Sequence, residues 1–190
     1  MLIVGSGRSG TSTAARICHE KLGICMGRFF KPADEFNPKG YYEDYVSHGL
    51  VRSMVAGVIT PTDYIEIMPE ILGLNDPWDA ELRALYRLEH WGAKDPWFLQ
   101  VKPAWQKALE PELAILCKRD PALVVKSWMS LAGSGKRGVS AMQAQKFEEI
   151  TKFRFEATDG MKLIWDNWLE LDFNEPRTDE WVEEKIRERL

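Results

Sequence analysis

The sequence has few of the features that mark nucleic-acid-binding, disulfide-linked, zinc-binding or membrane proteins. Its 25 Lys and Arg are outnumbered by 29 Asp and Glu, and the net charge of −4 argues against binding nucleic acid through bulk positive charge. Its three cysteines include no C-x-x-C pair, which indicates neither a disulfide framework nor a zinc site. No apolar run reaches the roughly 18 residues that a membrane span needs. Any site for an anion must therefore be local.

The size of the chain and its first residues give further expectations. Met1 leads directly into Leu2-Ile3-Val4 without a charged region, so we expect no secretory signal and a reduced, cytoplasmic protein. The 190 residues are 45% hydrophobic and 28% charged and contain no repeat or linker, so one domain over residues 1–190 is expected. The pattern does not indicate an oligomeric state.

The hydrophobic pattern predicts alternating strands and helices. A buried strand, a glycine loop and a helix from Thr11 to Leu22 are typical of the opening of a parallel α/β sheet. Further strands are predicted at 90–94, 113–117 and 161–165, and further helices after Asp44 and at 79–89, 121–131, 140–155 and 179–189. Loops are expected at 28–44 and 133–138, and a loop or short strand at 57–78. The predicted fold is a three-layer α/β/α domain with a central parallel sheet.

The loop after the first predicted strand, Gly5-Ser-Gly-Arg-Ser-Gly10, has the G-x-x-x-x-G spacing of a phosphate-binding loop. Backbone N–H groups and the following helix N-terminus face an anion in such loops. A nucleoside-triphosphate loop continues with Lys, but Thr11 stands there, and the only cation in the loop is Arg8. A transferring sulfuryl group carries less negative charge than a phosphoryl group, so Arg8, amides and hydroxyls could serve it without a metal. A glycine-rich turn without a ligand is the simpler alternative.

Arg8-Ser9-Gly10-Thr11-Ser12 resembles the 5′-phosphosulfate loop of the sulfotransferases that use 3′-phosphoadenosine 5′-phosphosulfate (PAPS). Their second signature is an Arg at a strand end and a Ser eight residues later, both holding the donor's 3′-phosphate. Arg119 and Ser127 match this signature. Segments 37–44 and 94–96 also resemble stretches of bacterial members, and the matches follow the family's order over about residues 1–155.

The resemblance implies a P-loop NTPase-like sulfotransferase fold and transfer of a sulfuryl group from PAPS to a hydroxyl, without a metal. Adenosine 3′,5′-bisphosphate would be released. The expected acceptor is a small molecule or a carbohydrate, with a lipid headgroup and a peptide tyrosine also open, and the charge balance predicts no nucleic acid as partner. The implied donor-binding residues are Gly7, Arg8, Ser9, Gly10, Thr11, Ser12, Arg119 and Ser127. Lys94 is implied near the junction of donor and acceptor, where it would help to stabilise the leaving phosphate. An ordinary surface charge is the alternative for Lys94, and a surface arginine paired with an acidic neighbour is the alternative for Arg119.

The transfer also needs a group that takes the proton of the acceptor hydroxyl, either a carboxylate or a neutral histidine. The candidates are Glu43, Asp44, His48, His90 and Asp95. Glu43 is preferred, followed by Asp95 and His48, whereas Asp44 is better suited to cap a helix. The predicted catalytic residues are therefore Arg8, Glu43, Lys94 and Asp95.

Two other functions fit the same sequence. A small P-loop kinase for a nucleotide or sugar would need a lysine from elsewhere and a magnesium-binding carboxylate, for which Asp166 is the one candidate. A non-catalytic nucleotide-binding module would keep the donor motifs without the acceptor chemistry. Lys136-Arg137-Gly138 is predicted to be a basic loop that covers the donor.

Overall fold

Four short parallel strands form the centre of the molecule. The computed structural model describes residues 1–34, 37–72, 90–133 and 141–190, leaving aside the side chains of 131–133 and 141–144. The strands are β1 (Leu2–Gly5), β2 (Ala93–Lys94), β3 (Ala114–Lys118) and β4 (Trp168–Asp172). They lie in the order β2-β1-β3-β4, with Leu2 in register with Ala93 on one side and Ala114 on the other. The predicted α/β class with a parallel sheet is confirmed.

Helices lie on both faces of this sheet. They are α1 (Thr11–Glu20), α2 (Tyr45–Val55), α3 (Pro61–Ile71), α4 (Pro103–Leu109), α5 (Pro121–Gly133), α6 (Ala141–Met161) and α7 (Asp179–Arg187), with a 3₁₀ turn over Pro96–Gln100. Side chains alternate between the faces, so that Leu2 and Val4 pack in one core cluster and Ile3 packs in the other. The first cluster includes residues of α2, α3 and α6, and the second includes residues of α1 and α7. The sheet is thus buried on both sides, as in other parallel sheets.

Local capping signals explain where several helices begin. Asp44 accepts hydrogen bonds from the backbone N–H groups of Val46 and Ser47, which confirms its predicted role as the cap of α2. Thr60 and Asp63 form a reciprocal capping box at the start of α3. Within the described residues, no helix is both long and apolar enough to cross a membrane.

The loop after β1 lies where the connections between strands diverge to the two sides of β1. From β1 the chain moves to β2 on one side, and it later returns to β3 on the other side. In open α/β sheets, ligands bind at the carboxyl ends of strands where the connections diverge in this way. The glycine loop occupies this position.

The structure corrects several of the predicted elements. Residues 57–78 were expected to be a loop or short strand, but 61–71 form α3. The predicted strand at 161–165 is wrong, because α6 runs to Met161 and a turn follows, with the N–H of Trp165 donating to the Met161 carbonyl at 3.0 Å. This turn buries Met161 and Trp165 together in the core, and the last strand starts only at Trp168. The predicted helix at 79–89 lies outside the described residues.

Candidate functional site

The glycine loop is a tight turn between β1 and α1. The N–H of Ser9 donates to the Ser6 carbonyl at 3.2 Å, and its hydroxyl donates to the same oxygen at 2.6 Å. Gly10 precedes α1 with φ of 90°, a left-handed conformation that glycine adopts without strain. A Cβ atom at this position would lie 2.4 Å from the ring of Phe173. Gly10 is therefore required both by its backbone conformation and by the close packing around it.

The second predicted motif meets this loop. Arg119 follows β3, and its Nη1 donates to the backbone carbonyl of Arg8 at 3.3 Å. The Nε of Arg8 in turn donates to the hydroxyl of Ser127 in α5 at 3.1 Å. The Nε of Arg119 is buried without a hydrogen-bond partner among the described residues. Two segments more than a hundred residues apart in sequence thus form one cationic corner at the carboxyl end of the sheet.

Lys94 lies at the end of β2, beside the start of α1. Its side chain is only 3% exposed, and its ammonium forms an ion pair with Glu43. It also donates to the Ser12 hydroxyl at 3.4 Å and to the Tyr41 carbonyl at 3.3 Å. Lys94 therefore links the start of α1 to the segment before α2, and the Glu43 carboxylate is its direct partner.

His48 and Asp95 form a second polar pair close by. The Nδ1–H of His48 donates to Asp95 Oδ2 at 2.7 Å, while Asp95 Oδ1 accepts the backbone N–H of Trp97 at 2.8 Å. Asp95 is buried and the His48 side chain is one-third exposed, at 33%. The hydrogen bond to Asp95 raises the pKa of His48, against the opposing effect of burial. Because Nδ1 carries the bonded proton, Nε2 is the nitrogen that can accept another proton.

These groups line one cleft of about 490 Å³. Of the described residues around it, seven are Lys or Arg and only two, Glu43 and Asp95, are acidic. The cleft is therefore basic in a chain whose net charge is −4. Such a concentration of positive charge favours an anionic ligand.

Most of the predicted site residues come together here. The lining includes Gly7, Arg8, Gly10, Thr11, Ser12, Glu43, His48, Lys94, Asp95 and Arg119. Ser9, a residue of the loop itself, is buried. Ser127 contacts the cleft through its hydrogen bond with Arg8. His90 lies elsewhere, beside Glu112. The predicted basic loop at 136–138 lies outside the described residues.

Sequence reasoning missed Arg154, a further cation of the cleft. Arg154 lies in the last part of α6, and no motif marks it. Its Nε is buried and finds no hydrogen-bond partner in the described part of the chain, and burial lowers its pKa. A single arginine within a helix is not a signal that a sequence pattern can separate from surface charge.

Asp166, the carboxylate that the kinase alternative named, does not line the cleft. Asp166 is exposed and precedes β4, so it lies at the amino end of that strand, away from the cleft at the carboxyl ends. Among the described residues, no group of three His, Cys, Asp or Glu side chains is placed to hold a metal ion. Neither a scan against protein-family models nor a search of curated proteins finds a match to this chain.

Proposed function

We propose that the protein is a PAPS-dependent sulfotransferase that moves a sulfuryl group to a hydroxyl acceptor and releases adenosine 3′,5′-bisphosphate. One observation carries the proposal: Arg8 contacts both Ser127 and Arg119, so the two donor-like motifs share one corner of a basic cleft. The proposal includes a P-loop sulfotransferase fold, a cytoplasmic location and a small-molecule or carbohydrate acceptor.

The donor would bind across this corner. The glycine loop and the N-terminus of α1 would hold the 5′-phosphosulfate. The Arg119 guanidinium, with its unpartnered Nε, and the Ser127 hydroxyl would hold the 3′-phosphate. ADP has no 3′-phosphate and would leave the Arg119 corner without an anion.

The chemistry follows from the charges around the junction. The acceptor oxygen attacks sulfur in line, and the bond between sulfur and the 5′-phosphate oxygen breaks. Negative charge grows on that oxygen, where Arg8 and Lys94 would stabilise it. The acceptor proton must move to a base within hydrogen-bond reach.

The contacts favour His48 as this base, with Asp95 as its positioning residue. The Glu43 carboxylate, which the sequence favoured, is bound by Lys94. His48 instead presents Nε2 on a ring that lines the cleft and is held by Asp95. Glu43 would then act by holding Lys94 in place.

A binding experiment tests the donor assignment. Adenosine 3′,5′-bisphosphate should stabilise the protein more than ADP does. At 100 times its Kd the bisphosphate should raise the free energy of unfolding by about 2.7 kcal/mol over the ligand-free protein. Arg119→Ala should remove this preference, and Lys126→Ala, which removes an exposed charge in α5, should keep it. Equal stabilisation of the parent protein by ADP would contradict the roles of Arg119 and Ser127.

A turnover experiment separates the proposal from its alternatives. Initial rates are measured with PAPS or ATP and a broad acceptor mixture, with and without a chelator. We expect transfer from PAPS that continues in excess chelator, because Thr11 replaces the triphosphate lysine and Arg8 supplies the charge. Metal-dependent transfer from ATP alone would identify a kinase, and donor binding without any transfer would identify a non-catalytic module.

A further inference from the structure

Arg154 is a cation of the cleft that lies outside both donor-like motifs. It belongs to α6, which packs against β1, β3 and the 3₁₀ turn after Asp95. Its side chain lines the cleft, and its buried Nε has no hydrogen-bond partner within the described residues. The carboxylates of Asp95 and Glu43 act on it through space, without a hydrogen bond.

Arg154 is half-buried, but its Nε is cut off from water, and a buried N–H of a charged group without an acceptor is unfavourable because it has lost water without a replacement. The two acidic residues of the cleft form no hydrogen bond with Arg154. Glu43 is bound by Lys94, and Asp95 is bound by His48. The charge of Arg154 is therefore left for a ligand that carries its own oxyanion.

The groups around Arg154 indicate that it faces the acceptor and not the donor. Of the two nearby carboxylates, Asp95 opposes the lowering of the Arg154 pKa more than Glu43 does. Asp95 also positions His48, which must lie beside the acceptor hydroxyl. The anionic groups of the donor have other partners in the glycine loop and in the corner formed by Arg119. An anion beside His48 would then belong to the acceptor.

We propose that Arg154 forms a subsite for an anionic group of the acceptor, so that the acceptor class is an acidic hydroxyl compound. This inference rests on the proposed function. The group is a carboxylate, sulfate or phosphate close to the hydroxyl that receives the sulfuryl group. A planar guanidinium binds such a group through two parallel hydrogen bonds, a geometry that lysine does not offer.

Matched acceptors test the subsite. One series is glucose, glucuronate, glucose 6-phosphate and glucose 6-sulfate, and a second is 4-hydroxybenzamide and 4-hydroxybenzoate. Initial rates with PAPS give kcat/KM for each member. In at least one series, we expect an anionic member to exceed its neutral counterpart by about 10- to 100-fold, as a charge-assisted hydrogen-bond pair implies. The best member of the sugar series identifies the preferred oxyanion.

Two substitutions in the same helix complete the test. Arg154→Met should lower kcat/KM for the anionic members towards that of the neutral ones, with the affinity for adenosine 3′,5′-bisphosphate changed less than about twofold. This variant should also melt at or above the parent temperature, because a buried Nε–H without an acceptor is removed. Lys152→Met, an exposed change two residues earlier, should leave the preference intact.

Several results would overturn the subsite. They are equal kcat/KM for the anionic and neutral members, a preference that survives Arg154→Met, and a loss of bisphosphate affinity as large as that in Arg119→Ala. Failure of the proposed function differs, because neither bisphosphate stabilisation nor sulfuryl transfer would then be seen. In that case calorimetry with the anionic compounds decides: binding lost in Arg154→Met supports the subsite, and binding that is equal or absent refutes it.

Discussion

Replacing Asp95 with asparagine tests the proposed acid–base pair most directly, because it changes hydrogen bonding while keeping the shape of the side chain. Asparagine keeps an oxygen for the Trp97 N–H, which Asp95 accepts at 2.8 Å. Facing His48, its amide N–H₂ donates to Nδ1, so the ring carries its proton on Nε2. In that tautomer His48 cannot take the proton of an acceptor hydroxyl.

The expected loss in kcat is about 10²- to 10⁴-fold, the usual contribution of a general base. The affinity for adenosine 3′,5′-bisphosphate should change little, because the donor contacts lie in the glycine loop and around Arg119. The assay is the initial rate with PAPS and a saturating acceptor, alongside calorimetric binding of the bisphosphate. Asp63→Asn, in the exposed capping box of α3, is the matched control and should keep the parent kcat.

The pH dependence of kcat tests whether His48 acts as the base. Asp95 raises the pKa of His48, Glu43 raises it further, and burial and Arg52 lower it. Since only the neutral imidazole is a base, the parent kcat should rise with pH and level off above the ordinary titration range of histidine. Asp95→Asn removes the largest cause, so its remaining activity should level off at a lower pH. A parent rate independent of pH, or an Asp95→Asn rate equal to the parent's, would refute His48 as the base.

Three further substitutions examine other parts of the cleft. Arg8→Ala should lower kcat by about 10²- to 10³-fold with a smaller rise in KM for PAPS, and the reverse pattern would make Arg8 only a binding residue. Glu43→Gln should lower kcat less than His48→Gln does, whereas a larger loss would return the role of base to Glu43. Gly10→Ala should destabilise the protein by about 1–3 kcal/mol more than Gly57→Ala in urea unfolding. Both glycines have positive φ, but only at Gly10 does an added Cβ meet a ring at 2.4 Å, so equal losses would contradict the packing argument.

The parts of the fold that depend on local sequence could be predicted. An apolar run followed by glycines and a helical pattern predicts the β1–loop–α1 unit, and Asp44 marks the start of α2. The capping box at Thr60 and Asp63 is also a local signal, and it marks the start of α3. These elements need no knowledge of distant contacts.

The last strand could not be predicted in the same way, because its pattern is weak. In β4 only Leu171 is buried, so the alternation that identifies a strand is hidden. The stretch from Met161 to Trp165 is more apolar, but it turns to bury its two end residues against the core. Tertiary packing, rather than local preference, decides between the two segments.

In the site, too, residues in motifs could be predicted from the sequence, whereas residues brought together by tertiary contacts could not. The loop residues and Arg119 were identifiable because their spacing is characteristic, and they line the cleft. The pairing of His48 with Asp95 depends on α2 meeting the end of β2 across 47 residues of sequence, which spacing does not encode. Arg154 lies within the predicted helix at 140–155, but its place in the cleft depends on how α6 packs against the 3₁₀ turn after Asp95, which the helical pattern does not encode.

Under the proposed function, the distribution of charge in the cleft predicts how many anionic groups bind there. Lys94 and Glu43 form an ion pair, and Asp95 is hydrogen-bonded to His48. The guanidiniums of Arg119 and Arg154, in contrast, each hold a buried Nε without a partner in the described part of the chain. Leaving two such groups uncompensated weakens the ligand-free protein, and one anion cannot serve both if Arg119 binds the donor and Arg154 faces the acceptor. Under the proposed function we therefore expect two separate oxyanions in the cleft, one at the donor's 3′-phosphate and one on the acceptor.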